Sequence, residues 1–295
     1  MFLLFSCTPQ TKRGTGAVAS AERHYSMPDV PSSLKEPAER ARFVVAHYWE
    51  RYDFDDTAVA QDSVYVEQAF VDYAAVLPLA GEEKASASIG QLLQRTEKTE
   101  YRERLMELAK HYLGHPESPM RNEEMYVLFL NKYASLSSVP MEKRERARYM
   151  AGQLLKNRVG TMAADFTYTD RKGNRNSLYR TESELTLLFF YDPDCENCHR
   201  IFTHLRGTNL LFGKSKLKVL TIYGDNDTAR WKESRQPIPE GWTDVQSPEI
   251  AAKQLYYIPA TPSMYLLDKN KRVILKDPQP ELLHKTLEEL LANEE

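Results

Sequence analysis

The chain has 295 residues, 42% of them apolar and 27% charged, with a formal net charge of −3. That length predicts two domains, and the mixed charge without a basic, aromatic-rich patch excludes a general affinity for nucleic acid. No apolar run reaches the roughly 18–20 residues that cross a bilayer, so a membrane contact is expected only through an anchor.

The first ten residues, MFLLFSCTPQ, place Leu4-Phe5-Ser6 directly before Cys7. A short apolar segment handing a small-residue cleavage site to a peptidase is the logic of a secretory signal, and the pattern is similar to a bacterial lipobox. No Lys or Arg precedes the run, which is also short. The expectation is that residues 1–23 are a signal remnant and tether, with Cys7 the lipidated residue and the protein in the cell envelope facing the periplasm. The cysteine count agrees: of three cysteines, Cys7 would carry lipid and the other two share one motif. The polar, Pro-containing stretch after Cys7 reads as a linker.

Residues 24–156 are expected to form an all-α domain. Pro37 marks a helix start, followed by Phe43, Val44, Tyr48 and Trp49 at helical spacing. A second run places Val64, Ala69, Tyr73 and Val76 on one face and is expected to end at Pro78. Two further helices follow, the second stopped by Gly114 and Pro116. RNEEMYVLFLNKYASL carries acids in its first turn, and Ser138 is the expected cap of a last helix that enters through Pro140. His47, His111 and His115 have no spacing that demands a metal, and the tyrosines and tryptophans here read as core or interface. Nothing in this half specifies chemistry.

From residue 157 the pattern alternates. ADFTYTDRKGNRNSLY reads as strand, turn at Lys172-Gly173-Asn174 and a second extended piece. ELTLLFFY is a continuous apolar run, as for a central strand buried on both faces, and KLKVLTIYGD is another. Short helices are expected in NDTARWKESR and SPEIAAKQLY. A hairpin turning at Lys269-Asn270 and a closing amphipathic helix complete a three-layer α/β domain over 157–295. Trp231 and Trp242 lie in a 224–247 insertion that either lines a groove or covers the sheet edge.

The chemistry concentrates in YDPDCENCHR, residues 191–200. Cys195-Glu196-Asn197-Cys198 spells a redox dithiol; continued to His199 it also spells the c-type haem attachment pattern, and two thiolates beside an imidazole are partial zinc ligands. The motif sits where a buried strand gives way to a helix, so free N–H groups and the positive helix end surround the first sulfur and favour its thiolate. About 65 residues later, YYIPATPSMYLLD sets Thr261-Pro262 at the start of a strand, a favourable place for a cis peptide that presents the Thr261 backbone to an extended chain.

With both elements in view, the C-terminal half resembles a thioredoxin-like domain of the periplasmic TlpA/ResA type common in Bacteroidetes lipoproteins. The helical half is similar to a domain of unknown function often found before such domains. The resemblance implies a thioredoxin-like fold in which Cys195 is the nucleophile, Cys198 the resolving cysteine, Pro262 the cis-proline and Thr261 the residue before it that meets substrate. It implies no cofactor or metal. Disulfide-bearing or dithiol proteins are the implied substrates, with a membrane redox partner that resets the pair.

Two positions depart from the pattern. Phe189 stands where thioredoxins keep a buried acid, and Ile201 where cytochrome-maturation reductases keep a glutamate, which leaves Asp192, Asp194, His199 or water to accept the proton of the resolving thiol. Against haem, the motif follows a sheet strand; against zinc, there is no second cysteine pair; against a peroxiredoxin, Asp192 stands where a hydroxyl residue belongs three before the nucleophile. The expected function is thiol–disulfide exchange with proteins in the envelope. The alternative is a non-catalytic envelope binding module on a thioredoxin-like scaffold.

Overall fold

The computed structural model describes residues 24–96, 99–206 and 216–292, so the tether and Cys7 lie outside the described residues. Two compact units emerge, one ending at Gly81 and one beginning at Glu82. The first contains α1 (Pro37–His47), α2 (Thr57–Gln61) and α3 (Ser63–Ala80). Pro37 occupies the first turn of α1, where its missing N–H has no intrahelical partner to lose. The Asp56 carboxylate accepts from the Ala58 amide and Asp62 from the Tyr65 amide, so each of the next two helices starts on an aspartate cap. Contrary to expectation, Pro78 does not end α3. Leu77 and Ala80 on either side of it are buried, and that packing outweighs the one hydrogen bond Pro78 removes; the helix stops at Gly81, whose φ of 83° suits glycine. The core of this unit is aromatic: Tyr25, Tyr48, Trp49, Tyr52 and Tyr73 pack edge to face or tilted, with Tyr25 stacked on Trp49, and the Tyr48 hydroxyl donates to the Ala69 carbonyl at 2.8 Å.

The second unit opens with α4 (Glu82–Arg95), α5 (Thr99–Ala109) running into a π-helical turn over Lys110–Gly114, α6 (Glu123–Ser135) and α7 (Met141–Leu154). Gly114 ends its helix as expected, and for a packing reason: a Cβ there would lie 2.6 Å from the Tyr126 ring. Asn122 caps α6 through the Met125 amide. Ser138 does not cap α7. Its hydroxyl instead accepts from the buried Arg102 guanidinium at 2.8 Å, because a buried cation must find acceptors; the Leu93 carbonyl is another.

Among the described residues seven strands follow, ordered β2-β1-β5-β4-β3-β6-β7: β1 (Thr167–Asp170), β2 (Arg175–Ser177), β3 (Leu185–Phe190), β4 (Leu217–Tyr223), β5 (Thr243–Gln246), β6 (Ser263–Leu267) and β7 (Val273–Lys276). The central β3 is buried along its whole length, parallel to β4 and antiparallel to β6. One face is covered by α8 (Glu196–Arg206), α9 (Thr228–Glu233) and α11 (Pro280–Ala292) through Phe202, Trp231, Leu283 and Leu287. The other is covered by α10 (Pro248–Ala252) and the segment leading into β1, through Ile250, Ala163 and Phe166. This is the three-layer, thioredoxin-like α/β arrangement, preceded by the helical region from Pro37 to Leu154.

The region read as an insertion contains β5, which sits between β1 and β4 inside the sheet. Thr243-Asp244-Val245-Gln246 has one apolar residue, so its strand character comes from parallel pairing with β4 and antiparallel pairing with β1. The region does line a recess, through Arg230 and Gln236 beside Cys195, whereas its two tryptophans pack inward. Trp231 is 1% exposed and Trp242 packs on Phe189 and Phe202.

Candidate active site

The end of β3 at Phe190 and the start of α8 at Glu196 bracket the loop Tyr191–Cys195. Cys195 and Cys198 are joined as a disulfide with Cα atoms 5.3 Å apart, the separation one helical turn provides. Cys195 is half-buried, whereas Cys198 is fully buried among Phe189, Tyr191 and Phe202. The difference leaves the Cys195 sulfur the more accessible of the two. The Cys198 amide N–H, one of the free donors at the start of α8, donates to Cys195 Sγ at 3.0 Å.

The Thr261-Pro262 peptide is cis, and the Thr261 carbonyl oxygen lies 3.3 Å from Cys195 Sγ. Register explains the meeting. Phe190, the last residue of β3, pairs with Ser263, the first of β6, so the loops leaving these neighbouring strands are adjacent although 65 or so residues separate them. Cys195, Cys198, Thr261 and Pro262 therefore stand together. An open recess of about 1020 Å³ beside them is lined by Cys195, Glu196, His199, Arg230 and Gln236.

Residues 6–157 match the family described as a domain of unknown function, DUF5106, and residues 159–276 match the AhpC/TSA family. The chain belongs to the DUF5106 family. Its second half is a thioredoxin-like AhpC/TSA domain. A crystal structure of a thioredoxin-like protein from Bacteroides caccae is 33% identical over 89% of this chain and 97% of that one, with a TM-score of 0.81. The C-terminal domain of an uncharacterized protein from Bacteroides fragilis is 40% identical over 44% and 97% of the two chains, with a TM-score of 0.42. The thioredoxin domain of a thiol–disulfide oxidoreductase from Bacteroides vulgatus is 22% identical over 45% and 97%, at 0.41. No protein of curated function matches significantly.

In this DUF5106 protein the sites of the two departures are filled by core. Phe189 stacks on Phe202 with ring centroids 4.5 Å apart, and Ile201 packs on the same cluster. Of the three side chains considered as proton acceptors, Asp192 and Asp194 both accept from Arg230, at 2.7 and 2.6 Å, and His199 is exposed on α8. Among the described residues no group of three His, Cys, Asp or Glu is placed to hold a metal ion.

Several neighbours of the site carried no signal in the sequence. Arg230 of α9 ties down the carboxylates of the loop, and Gln236 donates from Nε2 to the Pro193 and Cys195 carbonyls, both at 3.0 Å. Two side chains from the 224–247 region thus strap the loop that carries Cys195. Asp244 on β5 accepts from the Tyr191 hydroxyl at 2.8 Å and from Arg171, whose guanidinium stacks 4.6 Å over Trp231. Burial first, and Asp244 second, push the Tyr191 hydroxyl well above the ordinary tyrosine range, so it stays a proton donor. Recognising β5 as a strand is the step that would have brought Asp244 beside Tyr191.

Proposed function

We propose that this protein is a thiol–disulfide oxidoreductase that exchanges disulfides with protein substrates through Cys195 and Cys198. The observation that carries the reading is the half-buried Cys195 sulfur at the tip of α8, 3.3 Å from the carbonyl that precedes cis-Pro262. Starting from the reduced pair, the Cys195 thiolate attacks one sulfur of a substrate disulfide while the substrate backbone lies against Thr261-Pro262. The substrate S–S bond breaks, a mixed disulfide forms, and the departing substrate thiolate takes a proton. The Cys198 thiol then loses its proton and attacks Cys195 Sγ. That step releases the second substrate thiolate and leaves the internal disulfide, so two electrons and two protons have moved to the substrate. The strap from Arg230 and Gln236 holds the loop through these steps.

A dithiol or electron donor on the membrane side is the proposed source of re-reduction. The proposed place of action is the periplasmic face of the envelope, with the lipid anchor at Cys7; the lipobox-like Leu4-Phe5-Ser6-Cys7 supports it.

The test is reduction of insulin disulfides by the wild type and by the Cys195→Ser and Cys198→Ser variants. Activity is expected to fall to background in the first, while the second accumulates a covalent mixed disulfide. Equal activity in all three proteins refutes the oxidoreductase reading and leaves a binding scaffold.

A further inference from the structure

A second recess, of about 410 Å³, opens on the other side of Thr261. One wall is helix α7, through Tyr149, Met150 and Gln153; the opposite wall is the approach to the cis-proline, through Tyr257, Ile258 and Thr261 itself. The helical wall is fixed in place. The Tyr149 hydroxyl and Gln153 Nε2 both donate to Gln254 Oε1, at 3.2 and 3.3 Å, and Lys156 Nζ donates to the Gln254 carbonyl. Lys276 Nζ, from the end of β7, reaches the Leu154 carbonyl at the last turn of α7. A second set of contacts anchors the segment just after α7: Asn157 donates to the Leu255 carbonyl at 2.9 Å and accepts from the Ala164 amide at 2.8 Å.

Thr261 is shared. Its carbonyl touches the Cys195 sulfur, and the residue also closes one end of this recess. An extended chain whose cysteine engages Cys195 and whose backbone lies along Thr261 therefore runs into the recess within a residue or two. What it meets there is mostly apolar, five tyrosines, three isoleucines, Phe190 and Met150, the last flexible enough to adapt to different shapes, with Asp192 and Asp225 among the polar residues of the lining. The space is right for one or two bulky side chains and far too small for a folded domain.

We propose that α7 of the DUF5106 domain is a specificity wall of the redox site, and that the recess accepts an aromatic or large aliphatic side chain lying next to the reactive cysteine of an extended protein substrate. This rests on the oxidoreductase reading and adds to it a class of substrate and a role for the helical domain. Binding energy comes from taking an apolar side chain out of water, and the anchoring of α7 to Gln254, Leu255 and Lys276 keeps the wall preorganised.

The experiment compares disulfide-linked peptide dimers that are identical except for Phe or Ser at each of the two positions on either side of the cysteine. Hydroxyethyl disulfide serves as a small polar substrate with nothing to place in the recess. The wild type is expected to reduce at least one Phe peptide about tenfold faster in kcat/KM than its Ser counterpart, equivalent to about 1.4 kcal/mol. Ala251→Trp fills the recess from an exposed position on its rim, and Tyr149→Ala removes an exposed part of the wall. Both variants are expected to bring the Phe-to-Ser ratio to within about twofold of unity while hydroxyethyl disulfide is still reduced. A wild type without preference at any position, or two variants that keep it, overturns the specificity wall and leaves the oxidoreductase reading standing. A wild type that reduces neither peptides nor hydroxyethyl disulfide overturns both.

Discussion

Replacing Arg121 by methionine removes the charge that joins the start of α6 to the turn after β7 while keeping most of the side-chain stem. Arg121 Nη1 donates to Asp277 Oδ2 at 2.7 Å and to the Asp277 carbonyl at 3.3 Å, and Nη2 donates to Glu123 at 2.6 Å. All three side chains are nearly enclosed, at 14%, 13% and 16% exposure. Burial lowers the guanidinium's proton affinity, but the two carboxylates outweigh it and hold Arg121 above its usual range, so the network keeps its cation at any pH the fold tolerates. The two carboxylates do not suffer equally from the change. Glu123 retains Lys276 at 2.7 Å, whereas Asp277 is left with the Met264 amide at 3.3 Å as its side-chain donor. An exposed ion pair is worth about 0–1 kcal/mol, and orphaning a fully buried charge costs about 3–5 kcal/mol. With one carboxylate still paired and the other partly compensated, the expected loss is about 2–3 kcal/mol, between those limits.

The consequence reaches the site, because Asp277 also accepts from and donates to Met264, two residues past cis-Pro262. Urea unfolding of the wild type, Arg121→Met and Arg121→Met/Asp277→Asn measures it. The double variant removes the orphaned charge and is expected to recover about half of the loss. A loss below about 0.5 kcal/mol in the single variant, where a surface pair would fall, refutes the reasoning. So does a double variant no more stable than the single one.

Two further outcomes follow from particular residues. Substituting Cys7 by alanine is expected to move the protein from the membrane to the soluble envelope fraction; an unchanged membrane fraction would remove the anchor from the proposal. Glu249 accepts from Lys253 and from the Thr167 amide and hydroxyl, and these hold its carboxyl at about 2, below the ordinary 4.5. A depressed folded-state value means that the stabilisation is complete above about pH 4.5 and is lost as pH falls toward 2. Glu249→Gln should therefore lower the thermal midpoint at pH 7, with the difference from the wild type shrinking from about pH 4.5 downward and closing below about pH 2, and a constant difference across that range would count against it.

Sequence alone determined what depends on local pattern. The helical character of the first half follows from apolar spacing, the buried β3 from an unbroken apolar run, and the hairpin from its turn residues. The Cys195–Cys198 pairing and the cis-proline loop were legible because cysteine spacing and an X-Pro at a strand start carry meaning without neighbours. Elsewhere local rules were overruled by packing. Pro78 stays helical because Leu77 and Ala80 are buried, Ser138 serves Arg102 rather than a helix end, and β5 is a strand because β1 and β4 supply its hydrogen bonds. Tertiary structure decided everything that depends on residues distant in sequence meeting: Thr261 against Cys195, Arg230 and Gln236 strapping the Cys195 loop, and α7 sharing a recess with Thr261. The reason is that a carboxylate, a guanidinium or an amide has no preferred partner until the fold places one within hydrogen-bonding distance.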